Sequence, residues 1–178
     1  MQTLDLKLQA HINLLVQRYP VLSSVQDSII DGYKIMEESY EKGHKLLIAG
    51  NGGSAADSEH IAGELMKRFK TPRPVPANFA EKLIAVDKER GESLAKNLER
   101  GLTAIPLTAH EALSTAYIND VDGYGVFAQQ LYGFGREGDT FLAIYPELFG
   151  IEVPLWGNAA GGDPENDSVH QLSLMLSG

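Results

Sequence analysis

His60 and Glu64 stand four positions apart, so on a helix both side chains leave one face, a single turn from each other. Imidazole and carboxylate in that arrangement can share a metal ion or a substrate proton. The same spacing also fits an ordinary surface pair, which contributes roughly 0.2–0.5 kcal/mol. Just upstream runs Gly50-Asn51-Gly52-Gly53-Ser54, where three glycines permit positive φ and let a ligand approach bare amides. Ser54 with Asp57 three residues on has the form of a capping box, which predicts a helix from about Ala55 with free N–H groups facing the loop. Such a helix start is an anion site, although a glycine turn can equally be a plain connector. The run matches neither the Walker nor the dinucleotide pattern, so nucleotide binding is not favoured.

The elements that must hold these residues follow from pattern. Leu46 to Ala49 is an apolar run of strand length that ends at the glycines, placing Gly50 to Ser54 at a strand's carboxyl end. Before it, Leu4, Leu8, Ile12 and Leu15 recur at helical spacing until Pro20. A second amphipathic helix is expected from about Ser23 to Glu41, with Val25, Ile29, Tyr33 and Met36 on one face and Gly43 past its end. Two such helices ahead of the first strand suit either packing on their own sheet or association with another copy. Thr71 to Pro76, with alternate prolines, reads as an extended linker. Asn78 to Arg100 reads as a polar helix with a break at Gly91, its charges a solvated face or a cover over the site. Thr103 to Leu107 and Thr140 to Ile144 read as strands, and Val126 to Phe134 as a packed helix.

Composition narrows the function. With 178 residues the chain suffices for one domain with a real core. A net charge of -9 disfavours general nucleic-acid or anionic-membrane binding. Lys67, Arg68, Lys70 and Arg73 form a local basic cluster, suited to steering a phosphorylated substrate or to ending a helix in solvent. No cysteine is present, so thiolate chemistry and disulfides are out. No apolar segment approaches the ~18 residues of a membrane span, and no signal-peptide pattern opens the chain, which makes the cytoplasm the expected location.

Gly-Asn-Gly-Gly-Ser-Ala-Ala-Asp at 50–57, then His60 and Glu64, closing with Lys67-Arg68-Phe69, resembles the SIS (sugar isomerase) domain, in particular its phosphoheptose isomerase group. The resemblance implies an α/β fold, a flavodoxin-like parallel sheet with helices on both faces. It implies contacts from Asn51 and Ser54 to a sugar phosphate, His60 as a zinc ligand, and Glu64 as ligand and as the base moving a proton between carbons one and two. Asn119-Asp120 before Gly123-Tyr124-Gly125 is similar to the family's Asn-Asp-x-Gly-Phe segment, which adds both residues to the substrate set. Tetramers packed through the N-terminal helices are implied too, so a homotetramer or dimer is expected.

The chain also departs from the family. Residues 77–102 resemble an insertion, and His110 stands where an aspartate is usual, read here as an exposed loop histidine or a proton-moving group. The match stops at Ile144: in place of the second phosphate loop, Ser-Thr-Ser-Gly-Asn-Ser, the chain reads Tyr145-Pro146-Glu147-Leu148. His170-Gln171 fits the family's remaining metal ligands in neither order nor spacing. The expected architecture is a single domain over 1–178: N-terminal helices to 42, insertion at 77–102, atypical tail from 145, and a sheet cut short after about three strands. A reading-frame shift, a truncation or a replaced segment would leave such a tail. Two functions follow. One is a phosphoheptose-type isomerase, weak or inactive without that loop and with zinc held by two ligands. The other is a non-catalytic module binding a sugar phosphate or a protein such as a replication initiator.

Overall fold

A computed structural model describes residues 5–144; the tail features discussed above, from Tyr145 onward, lie outside the described residues, as does Leu4. Three parallel strands, β1 (Leu46–Gly50), β2 (Ala104–Pro106) and β3 (Thr140–Ile144), lie in the order β2-β1-β3. Leu46 faces Ala104 on one side and Thr140 on the other, and Ile48 faces Pro106 and Leu142. β1 is therefore central and wholly buried, which its unbroken apolar run requires. Side-chain alternation sorts the core into two layers. Leu46 and Ile48 pack with Ala62 on one face, joined by Met36 and Leu65, while Leu47 and Ala49 pack with Leu107 and Leu131 on the other, joined by Phe127 and Phe134.

The first layer is covered by α2 (Gln26–Glu41) and α3 (Gly53–Met66), the second by α7 (Val126–Phe134), so the expected helices on both faces are present. α1 (Leu6–Arg18) stops before Pro20, and a 3₁₀ turn, Pro20–Val25, leads into α2. The buried side of α2 is Ile30, Gly32 and Ser39, one position round from the face read from the sequence. Val25 and Tyr33 are exposed, and Met36 is half-buried. Packing against β1 and β3 through Met36 and Tyr40 sets that rotation.

Residues 77–97 form two helices, not one: α4 (Ala77–Val86) and α5 (Lys88–Asn97). The break falls at Asp87, whose carboxylate caps α5 by accepting from the Arg90 amide at 2.9 Å. Gly91 instead lies inside α5, because a Cβ there would come within 2.4 Å of the Leu83 carbonyl oxygen: the two helices touch backbone to backbone at that point. Among the described residues, α4 and α5 pack mainly on each other. The hairpin is fastened at its base, where Pro74 bridges Glu99 and the Arg100 amide donates to the Arg73 carbonyl at 2.7 Å.

β1 and β3 are also tied at their amino ends. Asp139 accepts from the Lys45 amide at 3.0 Å, the Lys45 ammonium at 2.5 Å and the Arg136 amide at 2.7 Å, with its side chain only 3% exposed. α6 (Glu111–Asp120) follows β2 and pairs with α7 through Gln130, whose carboxamide donates to the Ser114 hydroxyl at 3.3 Å. No helix among the described residues is long and apolar enough to cross a membrane.

Candidate functional site

The glycine loop leaves β1 at its carboxyl end, as expected, where open parallel sheets bind ligands. Its cap differs from the capping box. Gly52, at φ 56, occupies the cap position of α3, a conformation that glycine adopts freely, and the helix begins at Gly53. Ser54 lies inside the first turn: its amide donates to the Asn51 carbonyl at 3.0 Å, and its own carbonyl accepts from the Ser58 hydroxyl at 2.7 Å. The Ala55 amide bonds Gly52 at 3.1 Å. The anion-facing amides are thereby reduced to those before Ser54, with Asn51, Gly52 and Gly53 all exposed. Gly50 serves packing: a Cβ there would meet the Ser54 carbonyl oxygen at 2.6 Å, so α3 rides directly on the strand end. Just past β2 the Thr108 hydroxyl donates to Glu59 of α3 at 3.4 Å, tying the loop after β2 to that helix.

His60 and Glu64 share one face of α3, their Nε2 and Oε1 4.0 Å apart. The imidazole is 78% exposed, but the carboxylate is 27% exposed and not solvent-facing. Glu64 Oε2 is buried with no hydrogen-bond partner among the described residues, while Lys67 Nζ stands 3.7 Å from Oε1. The pair borders a cavity of about 390 Å³ walled by Met36, Leu46, Ile61, Leu65 and Leu142. Lys67 was legible as the residue one turn past Glu64; Met36 and Leu142, from α2 and β3, were not.

The other sequence candidates scatter. Gly53 and Glu64 are eleven positions apart, roughly 16 Å of rise along α3, so the loop and the carboxylate are not in direct contact. Asn119 and Asp120 end α6, exposed and without side-chain bonds to either centre. His110 is half-buried, not exposed. It occupies the N-cap position of α6 without a side-chain cap bond, lies tilted against Phe134 with ring centroids 5.0 Å apart, and holds Nε2 buried without a partner among the described residues. The basic cluster is largely committed to structure. Arg73 donates to the Leu65 and Lys67 carbonyls at 2.5 and 2.7 Å, closing the end of α3, and Arg68 pairs with Glu99 at 3.0 Å.

A metal is tested by its donors. His60 and Glu64 supply an imidazole and a carboxylate at a separation one ion can bridge, yet no group of three His, Cys, Asp or Glu side chains gathers among the described residues. Catalytic zinc uses three protein ligands, so the described residues alone do not make such a site.

A doubly covered parallel sheet, a glycine loop at the end of its central strand, and a His/Glu pair on the helix after it define an α/β domain with its candidate ligand loop at the open strand ends. The SIS domain family model matches residues 16–104, and the chain belongs to that family. Its relatives include phosphoheptose isomerases. The one from Nitratidesulfovibrio vulgaris is 35% identical over 118 residues, covering 66% of this chain and 44% of that protein. The one from Bradyrhizobium sp. (strain ORS 278) is 42% identical over 102 residues, covering 57% and 38%. That from Akkermansia muciniphila is 30% identical over 130 residues, covering 73% and 55%. The chain thus spans about half or less of the length of these relatives. Among solved structures, phosphoheptose isomerases from Francisella tularensis (TM-score 0.52, 23% identity) and Neisseria gonorrhoeae (0.50, 22%) share the fold. Each comparison covers 77% of this chain, with 59% of the first structure and 58% of the second.

Proposed function

We propose that the chain carries the proton-transfer part of a sugar-phosphate isomerase of the phosphoheptose type, interconverting sedoheptulose 7-phosphate and D-glycero-D-manno-heptose 7-phosphate. The observation that carries this reading is the Glu64 carboxylate, held beside a cavity with one oxygen buried and unpartnered. Aldose–ketose conversion needs a base that takes a proton from one carbon and returns it to its neighbour through an enediolate. Glu64 is that base, and His60 on the same helix face serves the substrate oxygens. Zinc, if bound, would polarise the substrate oxygens with His60 and Glu64 among its ligands, but the described pair falls short of a catalytic zinc site and no step is assigned to it.

The exposed run Asn51 to Gly53, with Ser54 in the first turn of α3, is the phosphate grip in this reading. Sixteen ångströms along α3, approximately, exceeds the length of a seven-carbon sugar phosphate, so the loop would serve the Glu64 of another copy. That supports a homo-oligomer, as do Leu14 and Tyr33, exposed on the N-terminal helices. Activity is expected to be weak, because misplacing the substrate by about an ångström can lower the rate ~100-fold and the second phosphate loop is replaced.

The test is an isomerase assay on sedoheptulose 7-phosphate, with and without zinc, on the chain and on Glu64→Gln. The expected result is slow turnover in the parent, reduced at least ~100-fold in the variant. Binding of the sugar phosphate without turnover in any condition would replace this reading by the non-catalytic module. Unchanged affinity in Ser54→Ala would remove the loop from the site.

A further inference from the structure

The Glu64 carboxylate has little to hold it directly. Its Oε2 is buried without a partner among the described residues, and the two groups on the Oε1 side, Lys67 at 3.7 Å and His60 at 4.0 Å, are themselves exposed. Its place at the cavity is therefore inherited from the backbone beneath it, the last turn of α3. A helix end is where carbonyls lack partners and the backbone frays. α3 supplies no closure of its own: the chain turns extended at Lys67, with neither a positive-φ glycine after the helix nor a basic side chain in its last turn.

The closure comes from the stem of the α4–α5 hairpin. Arg73, just before the hairpin, places one guanidinium nitrogen, Nη2, between the Leu65 and Lys67 carbonyls, 2.5 and 2.7 Å away. Just after the hairpin, Leu102 donates its amide to the same Leu65 carbonyl at 2.9 Å, and Glu99 accepts from the Arg68 amide at 2.7 Å. Gly101 runs so close to the helix end that a Cβ there would stand 2.9 Å from the Met66 carbonyl oxygen. The Pro74–Glu99 bridge joins the two arms of the stem, so both act on one turn. We propose that Arg73 is a positioning residue for the reaction: by donating to the carbonyls on either side of Met66 it keeps the last turn of α3 wound, and with it the Glu64 carboxylate aimed at the cavity. The donor is charged and sits at the negative end of the helix, where such bonds are strongest. The proposal rests on Glu64 being the base, because a drift of about an ångström at that carboxylate is what would cost ~100-fold in rate.

The experiment compares the full 178-residue chain with Arg73→Met, which keeps the apolar stem of the side chain and removes its donors, and with Arg90→Met, which removes an equal charge from an exposed position on the hairpin. On sedoheptulose 7-phosphate, Arg73→Met is expected to lower kcat at least ~10-fold with KM within about two-fold, and Arg90→Met to leave both unchanged. Arg73→Lys, whose head is one atom shorter and unforked, is expected to show a smaller loss of kcat. A second readout needs no turnover. The carbon-13 resonance of the Glu64 carboxyl, assigned by its disappearance in Glu64→Gln, is expected to move in Arg73→Met and to stay in Arg90→Met. A parent without turnover would retire the isomerase reading, and the carboxyl resonance would then decide the clamp alone. A folded Arg73→Met with the parental kcat, a loss of kcat shared by Arg90→Met, or an unmoved carboxyl resonance would overturn the proposal. If Arg73→Met does not fold, Arg73→Lys with the parental kcat and resonance does the same.

Discussion

Replacing Glu64 by leucine is expected to stabilise the protein while abolishing its chemistry. The losses are small: Lys67 at 3.7 Å and His60 at 4.0 Å are exposed partners, and such pairs contribute at most about 1 kcal/mol. Against them stands Oε2, buried without a partner, a situation that costs roughly 1–3 kcal/mol. Leucine removes that penalty and adds its side chain to Met36, Leu46, Ile61, Leu65 and Leu142, at a helix propensity close to that of glutamate. The balance is a gain of about 1–2 kcal/mol. For a chain of this size it appears as a rise of roughly 2–8 °C in Tm. Thermal and urea unfolding of Glu64→Leu beside the parent at pH 7 measures it. A drop in stability of more than about 1 kcal/mol would refute the reasoning and make Glu64 a structural residue. Gain of stability with loss of turnover is the mark of a side chain kept for function.

Asp139→Ala is expected to cost about 3–5 kcal/mol, because it strips the Lys45 ammonium and two amides of their shared acceptor at the start of β1 and β3; urea unfolding reads the loss. Tyr40, which donates to the Thr103 carbonyl at 3.1 Å, has its phenol pushed up to about 12 by burial, with Arg73 opposing. A raised folded value means the native state holds the proton that the unfolded chain releases near pH 10. Its contribution is therefore complete below pH 10 and lost as pH rises towards 12. Tyr40→Phe is expected to be less stable at pH 7 through the lost hydrogen bond but to show a shallower decline between pH 10 and 12, followed by chemical denaturation across that range.

The sheet was readable from Leu46 to Ala49 because a strand buried on both faces must be apolar throughout, and from Phe141 to Ile144 because a short apolar run follows a turn. α7 was readable because its packed side is aromatic. What escaped was decided by contacts between distant segments or by competition between local signals. Ser54 and Asp57 have the capping-box form, yet Gly52 adopts positive φ at no steric cost and took the cap two residues earlier. Gly91 drew attention as a helix breaker, whereas the break came from Asp87, a better cap, and the glycine answers to Leu83 on the facing helix. Arg73 read as substrate-steering charge, but the free carbonyls at the end of α3 claimed it. In the candidate site, the His60–Glu64 pairing followed from spacing alone. The buried side of Glu64 did not, since Met36 and Leu142 come from elements remote in sequence.

The strand order β2-β1-β3 has a consequence for how the chain is made. β1 leaves the ribosome first yet sits at the centre, and its second neighbour, starting at Thr140, emerges 94 residues after Leu46. At about 5–20 residues per second that interval is roughly 5–19 s. Throughout it Leu46 to Ala49 have no β3 beside them, and the Lys45–Asp139 tie has no acceptor. The nascent chain thus carries its central strand with one edge unpaired throughout that interval, a client for holding chaperones before it is a folded domain.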